Sequence, residues 1–122
     1  MNLDKKNIEV ILNACDNKKA YNFVVLDVSK ISSITDYFII CSGNNEKQTV
    51  AIAEEVIEKA SLEGIKIYHK EGLDTGRWIL LDADNIIVHI FQRDEREVYD
   101  LESLWFDNNS LDVEQYGIKN WK

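Results

Sequence analysis

The stretch from Trp78 to Trp105 reads WILLDADNIIVHIFQRDEREVYDLESLW and decides the fold of this 122-residue chain. Two runs rich in β-branched and aromatic residues flank an acidic turn, which is typical of a β-hairpin with a loop of about two residues. Ala83 and Asp84 are the expected loop residues. The predicted pairs, in order from the turn, are Asp82 with Asn85, Leu80 with Ile87, and Trp78 with His89.

Alternation along these two strands predicts that their side chains divide between two faces. One face is wholly aliphatic and is expected in the core; it consists of Ile79, Leu81, Ile86, Val88 and Ile90. The other mixes large apolar groups with an imidazole; it consists of Trp78, Leu80, Ile87, His89 and Phe91. A face of this second kind either carries a helix or contacts a partner.

The length and composition predict one soluble domain. No apolar run approaches the ~20 residues that span a bilayer, and the N-terminus lacks the basic head and apolar block of a signal peptide, so we expect a cytoplasmic protein without membrane contact. The two cysteines, Cys15 and Cys41, fall in a predicted helix and a predicted buried strand. We expect reduced core thiols rather than a disulfide or a metal pair.

The formal net charge of −8, from 14 Lys and Arg against 22 Asp and Glu, bounds the partners. Affinity for nucleic acid comes largely from neutralised phosphates, so an acidic chain is expected to make little direct nucleic-acid contact. A basic protein is the favoured partner. The same charge would also simply keep a small domain soluble.

Apolar spacing predicts the remaining elements. Ile8, Ile11, Leu12 and Cys15 recur at helical spacing and predict a helix over about residues 3 to 18. Strands are expected at Phe23–Val28, Tyr37–Cys41 and Lys66–His69, with a helix that begins after Asn44 or Asn45 and ends at Gly64. The second strand, this helix and the third strand would form a right-handed crossover. A last helix is predicted over Arg93–Trp105.

Three segments together resemble the ribosomal silencing factor family, RsfS, also called Iojap-like. They are the strand pair WILLD and IIVHIF, the helix VYDLESLW, and SSITDYFIICSGNNEKQTVAIAEEV at residues 32–56. The resemblance covers roughly residues 3 to 106, which divides the chain into an RsfS-like domain at 1–106 and a weakly structured tail at 107–122. It implies one α/β domain, a mixed sheet of about five strands flanked by helices with a nucleotidyltransferase-like outline.

The resemblance also implies a function. Family members dock on protein number fourteen of the large ribosomal subunit, keep the small subunit from joining and so repress translation, without enzymatic activity or a cofactor. The positions that match the family's strand pair, and that we expect in the docking face, are Trp78, Leu80, Ile87 and His89. The expected acidic rim is Glu71, Asp74 and Asp82. Matching helix positions expected to pack on the sheet are Tyr99, Leu101, Leu104 and Trp105.

Two other functions remain open from the sequence. A small nucleotide-binding or nucleotidyltransferase-like enzyme would use Ser42 and Gly43, which lead into a helix N-terminus, with Asp82 and Asp84 as metal ligands. The simpler interpretation is a turn and helix cap at Ser42–Asn45, and Asp84 as a turn residue that tolerates positive φ. A homodimer could also use the apolar hairpin face for a second copy of the chain.

One departure from the family pattern falls in the hairpin. The family usually has Gly-Asp where this chain has Asp84-Asn85, and the predicted register depends on the turn that these two residues form.

Overall fold

The structure is a computed structural model that describes residues 3–30, 32–99 and 110–111, with the side chains of 4–30 and 32–96. The helices are α1 (Leu3–Asn17), α2 (Glu46–Leu62) and α3 (Arg93–Tyr99); the strands are β1 (Tyr21–Asp27), β2 (Tyr37–Gly43), β3 (His69–Glu71), β4 (Trp78–Asp82), β5 (Ile86–Gln92) and β6 (Ser110–Leu111). The remainder of the predicted last helix, and the packing predicted for Tyr99, Leu101, Leu104 and Trp105, lie outside the described side chains. Over these ranges no helix is both long and apolar enough to cross a membrane.

The strands form one sheet in the order β3-β4-β5-β2-β1-β6. β2 and β5 lie together at its centre and run parallel, whereas each other neighbouring pair is antiparallel. The predicted single-domain α/β fold with a mixed sheet is confirmed. The two-residue strand β6, which pairs with Val25 and Leu26 of β1, extends the predicted sheet of about five strands.

Helices α1 and α2 pack against each other and cover one side of the sheet, which we call the inner face. The helical stripe predicted for α1 is confirmed, because all four of its residues are buried. The aliphatic face of the hairpin joins the same core, as predicted, and all five of its side chains are fully buried: Ile79, Leu81, Ile86, Val88 and Ile90. The opposite side of the sheet, the outer face, has a separate small apolar cluster around Leu26, Ile40 and Phe91.

The ends of α2 follow the predicted capping residues. Asn45 is the N-cap, and its side chain accepts a hydrogen bond from the backbone N–H of Gln48 at 2.8 Å. Gly64 follows the helix with φ of +76°, the left-handed conformation that glycine adopts without strain. Both ends of the helix are therefore set by local sequence.

The third strand differs from its prediction. The apolar pattern placed it at Lys66–His69, whereas the structure places β3 at His69–Glu71, where it pairs with β4. Backbone hydrogen bonding to β4 determines which residues join the sheet, and the apolar residues before His69 are not among the paired residues. β3 is also separated from β2 by β4 and β5, so the connection through α2 passes over two strands.

Cys15 and Cys41 are both buried and unbridged, as predicted. The fold also brings them together, which their separation in sequence does not reveal. A hydrogen bond with Cys41, together with burial, raises the pKa of the Cys15 thiol. Cys15 therefore remains a protonated core thiol of low reactivity.

Candidate partner-binding site

The hairpin of β4 and β5 is closed by a turn with Asp84 and Asn85 at its tip. The backbone N–H of Ala83 donates to the carbonyl of Ile86 at 2.8 Å, and Asp84 has φ of +71°, the positive value expected of a turn aspartate. The Asp82 carboxylate accepts from the Asp84 N–H at 3.2 Å. This turn sets the register of the two strands.

The predicted register was wrong by two residues. The observed pairs are Asp82 with Ile87, Leu80 with His89, and Trp78 with Phe91. The turn lies one residue further along than predicted, and the Asn85 side chain is drawn out of the ladder to donate to Asp4 at 2.8 Å. Because the shift is an even number of residues, every side chain stays on its predicted face.

The structure gathers Trp78, Leu80, Ile87 and His89 on the outer face. The first three are half-buried, whereas His89 is only 5 % exposed. His89 pairs with Leu80 on one side and with Ile40 of β2 on the other, so it occupies the middle of this surface. A mixed apolar surface with one buried imidazole at its centre is the result.

Two contacts with described residues hold Trp78 in place. Its indole Nε1 donates a hydrogen bond to His89 Nδ1 at 3.0 Å. Its ring stacks on Phe91, with centroids 5.1 Å apart and planes at 25°. A large aromatic side chain that is fixed in this way but still partly exposed has the form of an interface anchor, since little further ordering is needed on binding.

His89 is electrically neutral. Burial lowers its pKa to about 4. Because Nδ1 accepts from Trp78, the single imidazole proton is carried by Nε2. That Nε2 atom is buried and has no hydrogen-bond partner in the part of the chain that the structure describes.

Two of the three predicted rim acids lie at the edge of this surface. Glu71 of β3 pairs with Leu80, and Asp82 ends β4 beside His69, so both share the outer face. Glu71 also contacts His69, with Oε2 at 2.6 Å from Nε2. Asp74 is exposed on the loop between β3 and β4, and the structure does not bring it into contact with the four surface residues.

That loop positions the start of β4. Gly72 has φ of +84°, and a Cβ there would lie 2.0 Å from the carbonyl oxygen of Trp78. The Gly76 N–H donates to the Gly72 carbonyl at 2.9 Å, and the Thr49 hydroxyl of α2 donates to the Gly76 carbonyl. The backbone that carries Trp78 is thus packed closely against the loop and tied to α2.

Phe38 of β2 belongs to the same surface but was not among the predicted site residues. It pairs with Ile87, is half-buried, and meets His89 edge-on with ring centroids 5.0 Å apart and planes at 82°. The sequence pattern of β2 indicates burial on both faces and does not separate Phe38 from its buried neighbours. The parallel pairing of β2 with β5 brings it to the site.

The structure does not bring the residues of the alternative nucleotide site together. Ser42 and Gly43 end β2, whereas Asp82 ends β4 and Asp84 lies in the turn after it, and β4 runs in the opposite direction to β2. On β5, Gly43 pairs with Gln92 and Asp82 pairs with Ile87. These two β5 residues are five apart, which separates Gly43 from Asp82 by roughly 17 Å along the strand at about 3.3 Å a residue.

The Asn44 amide and the Ser42 hydroxyl in this segment also have partners within the chain. The Asn44 N–H donates to the Gln48 side chain at 2.7 Å. Ser42 Oγ accepts from the buried Arg96 at 2.9 Å. A turn and helix cap account for these residues, as the simpler interpretation of the sequence held.

The comparisons with known proteins agree with one another. The family model "Ribosomal silencing factor during starvation", RsfS, matches residues 2–121. The ribosomal silencing factor RsfS of Bacillus subtilis is 42% identical over 110 residues, which are 90% of this chain and 93% of that protein. A crystal structure of a Bacillus halodurans protein has a TM-score of 0.80 at 40% identity and covers 89% of this chain and 99% of its own.

A more distant relative is the mouse protein named "Mitochondrial assembly of ribosomal large subunit protein 1". It is 27% identical over 107 residues, which are 83% of this chain and 46% of the mouse protein.

The sheet, with α1 and α2 on one side and the aromatic surface on the other, defines a small single-domain α/β protein with a candidate surface for binding a partner. The family match spans nearly all of that domain. The chain belongs to the RsfS family of ribosomal silencing factors.

Proposed function

We propose that this protein silences the ribosome by binding the large subunit through ribosomal protein number fourteen and by blocking association with the small subunit. Membership of the RsfS family carries the ribosomal role. The name of the mouse relative, which refers to assembly of the large ribosomal subunit, favours that subunit. Repression of translation follows because a large subunit that cannot join the small one is inactive.

The outer face supports a protein contact as the means of binding. Trp78 offers a rigid, partly exposed aromatic ring, and Leu80 and Ile87 lie on the same face. Such a centre, surrounded by charged residues, is typical of an interface hot spot. Glu71 and Asp82 supply negative charge at its edge, which suits a basic ribosomal protein.

The blocking step needs no catalysis. A folded domain of this mass has a diameter of roughly 30 Å, which keeps two surfaces apart when it is docked between them. The protein would act by the space it occupies. Its effect would therefore depend on the fraction of large subunits that carry it, which its concentration and affinity determine.

Cosedimentation with separated ribosomal subunits tests this function. The intact protein should pellet with large subunits and remain in the supernatant with small ones. Trp78→Ala should lower the affinity for large subunits at least about 30-fold, the loss typical of a hot-spot residue.

Tyr68→Ala is the matched control, because Tyr68 is an aromatic side chain that is 57 % exposed and precedes β3, away from the four surface residues. It should bind as the unmodified protein does. Failure of the unmodified protein to pellet with large subunits would refute the function, and unchanged binding by Trp78→Ala would refute the site.

A further inference from the structure

The buried Nε2 atom of His89 has no evident role in the fold. The other ring nitrogen, Nδ1, accepts a hydrogen bond from the Trp78 indole N–H. Nε2 carries the remaining proton and is the buried side-chain polar atom without a hydrogen-bond partner among the residues described. A buried donor left unpaired destabilises a protein, so such an atom calls for an explanation.

The position of this donor points to an explanation. His89 lies at the middle of the candidate surface, between Leu80 and Ile40 in the ladder, and half-buried Phe38, Leu80 and Ile87 surround it. Side chains of this kind commonly change rotamer when an interface forms, while the backbone moves little. A small displacement of such a neighbour would let an acceptor reach Nε2.

We propose that His89 Nε2–H donates a hydrogen bond to an oxygen acceptor of the docked protein partner, most simply a backbone carbonyl, and is the polar centre of an otherwise apolar contact. This inference rests on the proposed function and adds Phe38 to the contact surface. The negative rim formed by Glu71 and Asp82 favours a carbonyl of a basic protein over an RNA phosphate, which those carboxylates would repel.

Paired amide substitutions separate the two nitrogen atoms. In His89→Asn the shorter amide can still accept from Trp78 at the position of Nδ1 but does not reach that of Nε2. In His89→Gln the longer amide places an N–H donor near Nε2. The structural role of His89 toward Trp78 therefore predicts that Asn is the better replacement, whereas the proposed contact predicts that Gln is.

The measurement is the affinity of each variant for purified large subunits, with urea unfolding as the check on folding. We expect His89→Asn to bind roughly tenfold more weakly than the unmodified protein, and His89→Gln to stay within about threefold of it. Equal binding by the unmodified protein and His89→Asn, or weaker binding by Gln than by Asn, would overturn the inference.

A second measurement avoids substitution of His89 altogether. In the unmodified protein with nitrogen-15-labelled histidine, the Nε2–H proton signal of His89 should move downfield when the isolated ribosomal protein number fourteen is added. An unmoved signal at saturation would overturn the inference while leaving the proposed function intact, whereas absence of binding would count against the function itself.

Discussion

The indole N–H of Trp78 donates to His89 Nδ1 across the β4–β5 hairpin at 3.0 Å. The bond is diagonal, since Trp78 pairs in the ladder with Phe91 and His89 pairs with Leu80. It fixes the orientation of the Trp78 ring on the outer face and the tautomer of the only buried imidazole in the described part of the chain. The proposed anchor, Trp78, and the proposed polar centre, His89, are thus hydrogen-bonded directly to each other.

Acidification should destabilise the protein through His89. The folded pKa is about 4 and the ordinary value is 6.5, so between these values the unfolded chain binds more protons than the folded one. The stability that depends on neutral His89 is therefore fully present above pH 6.5 and is lost as the pH falls toward 4. The full loss is about 3 kcal/mol, of which about 1.5 kcal/mol falls between pH 6.5 and 5.

Urea unfolding at pH 6.5 and pH 5 measures this effect above the range in which most carboxylates titrate. His89→Gln should lose most of the pH dependence. His69→Gln is the control, since His69 is exposed on β3, and it should behave as the unmodified protein does. A pH dependence that survives in His89→Gln would show that another group is responsible.

Replacement of Trp78 by Phe should separate stacking from hydrogen bonding. Phenylalanine keeps a ring against Phe91 but leaves His89 Nδ1 without its donor, so we expect a loss of about 1 kcal/mol in the free energy of unfolding. Binding to large subunits should fall less than it does in Trp78→Ala. Identical binding by the Phe and Ala variants would argue that the ring itself is not the anchor.

Gly72→Ala should be far more damaging than Gly64→Ala. Both glycines have positive φ, but a Cβ at Gly72 would collide with the Trp78 carbonyl, whereas one at Gly64 has nothing within 4 Å. We expect a loss of about 3 kcal/mol or more for Gly72→Ala, and about 1 kcal/mol for Gly64→Ala. Chemical denaturation measures both, and equal losses would mean that the close packing of the loop on Trp78 is not important.

Reversal of the rim charge should slow association with the ribosome. The double variant Glu71→Lys, Asp82→Lys should lower the association rate by about tenfold at low salt, with the difference shrinking as salt is added. Glu54→Lys, Glu58→Lys on α2 changes the net charge equally at two exposed positions away from the hairpin and is the control. Stopped-flow mixing with large subunits would distinguish them, and equal rates for both variants would show that total charge matters and the rim does not.

The sequence predicted the composition of each hairpin face, because side-chain alternation depends only on neighbouring residues. It also predicted the N-cap at Asn45 and the end of α2 at Gly64, which are equally local. The family resemblance was confirmed over most of the chain, and with it the mixed α/β fold.

Features that depend on distant residues escaped prediction. The hairpin register depends on a turn whose Asn85 bonds to Asp4, 81 residues away. Phe38 joins the candidate surface only through the parallel pairing of β2 with β5. The unpaired Nε2 of His89 likewise arises from burial in the assembled sheet, which no local pattern specifies.

Subunit association is the most direct test of the central claim. Purified small and large subunits are mixed at a fixed ratio with increasing amounts of the protein, and assembled ribosomes are separated from free subunits on a sucrose gradient. The proposed function predicts that assembled ribosomes decrease as the protein saturates the large subunit, and that Trp78→Ala leaves assembly unchanged. Undiminished assembly while the protein remains bound to large subunits would contradict it.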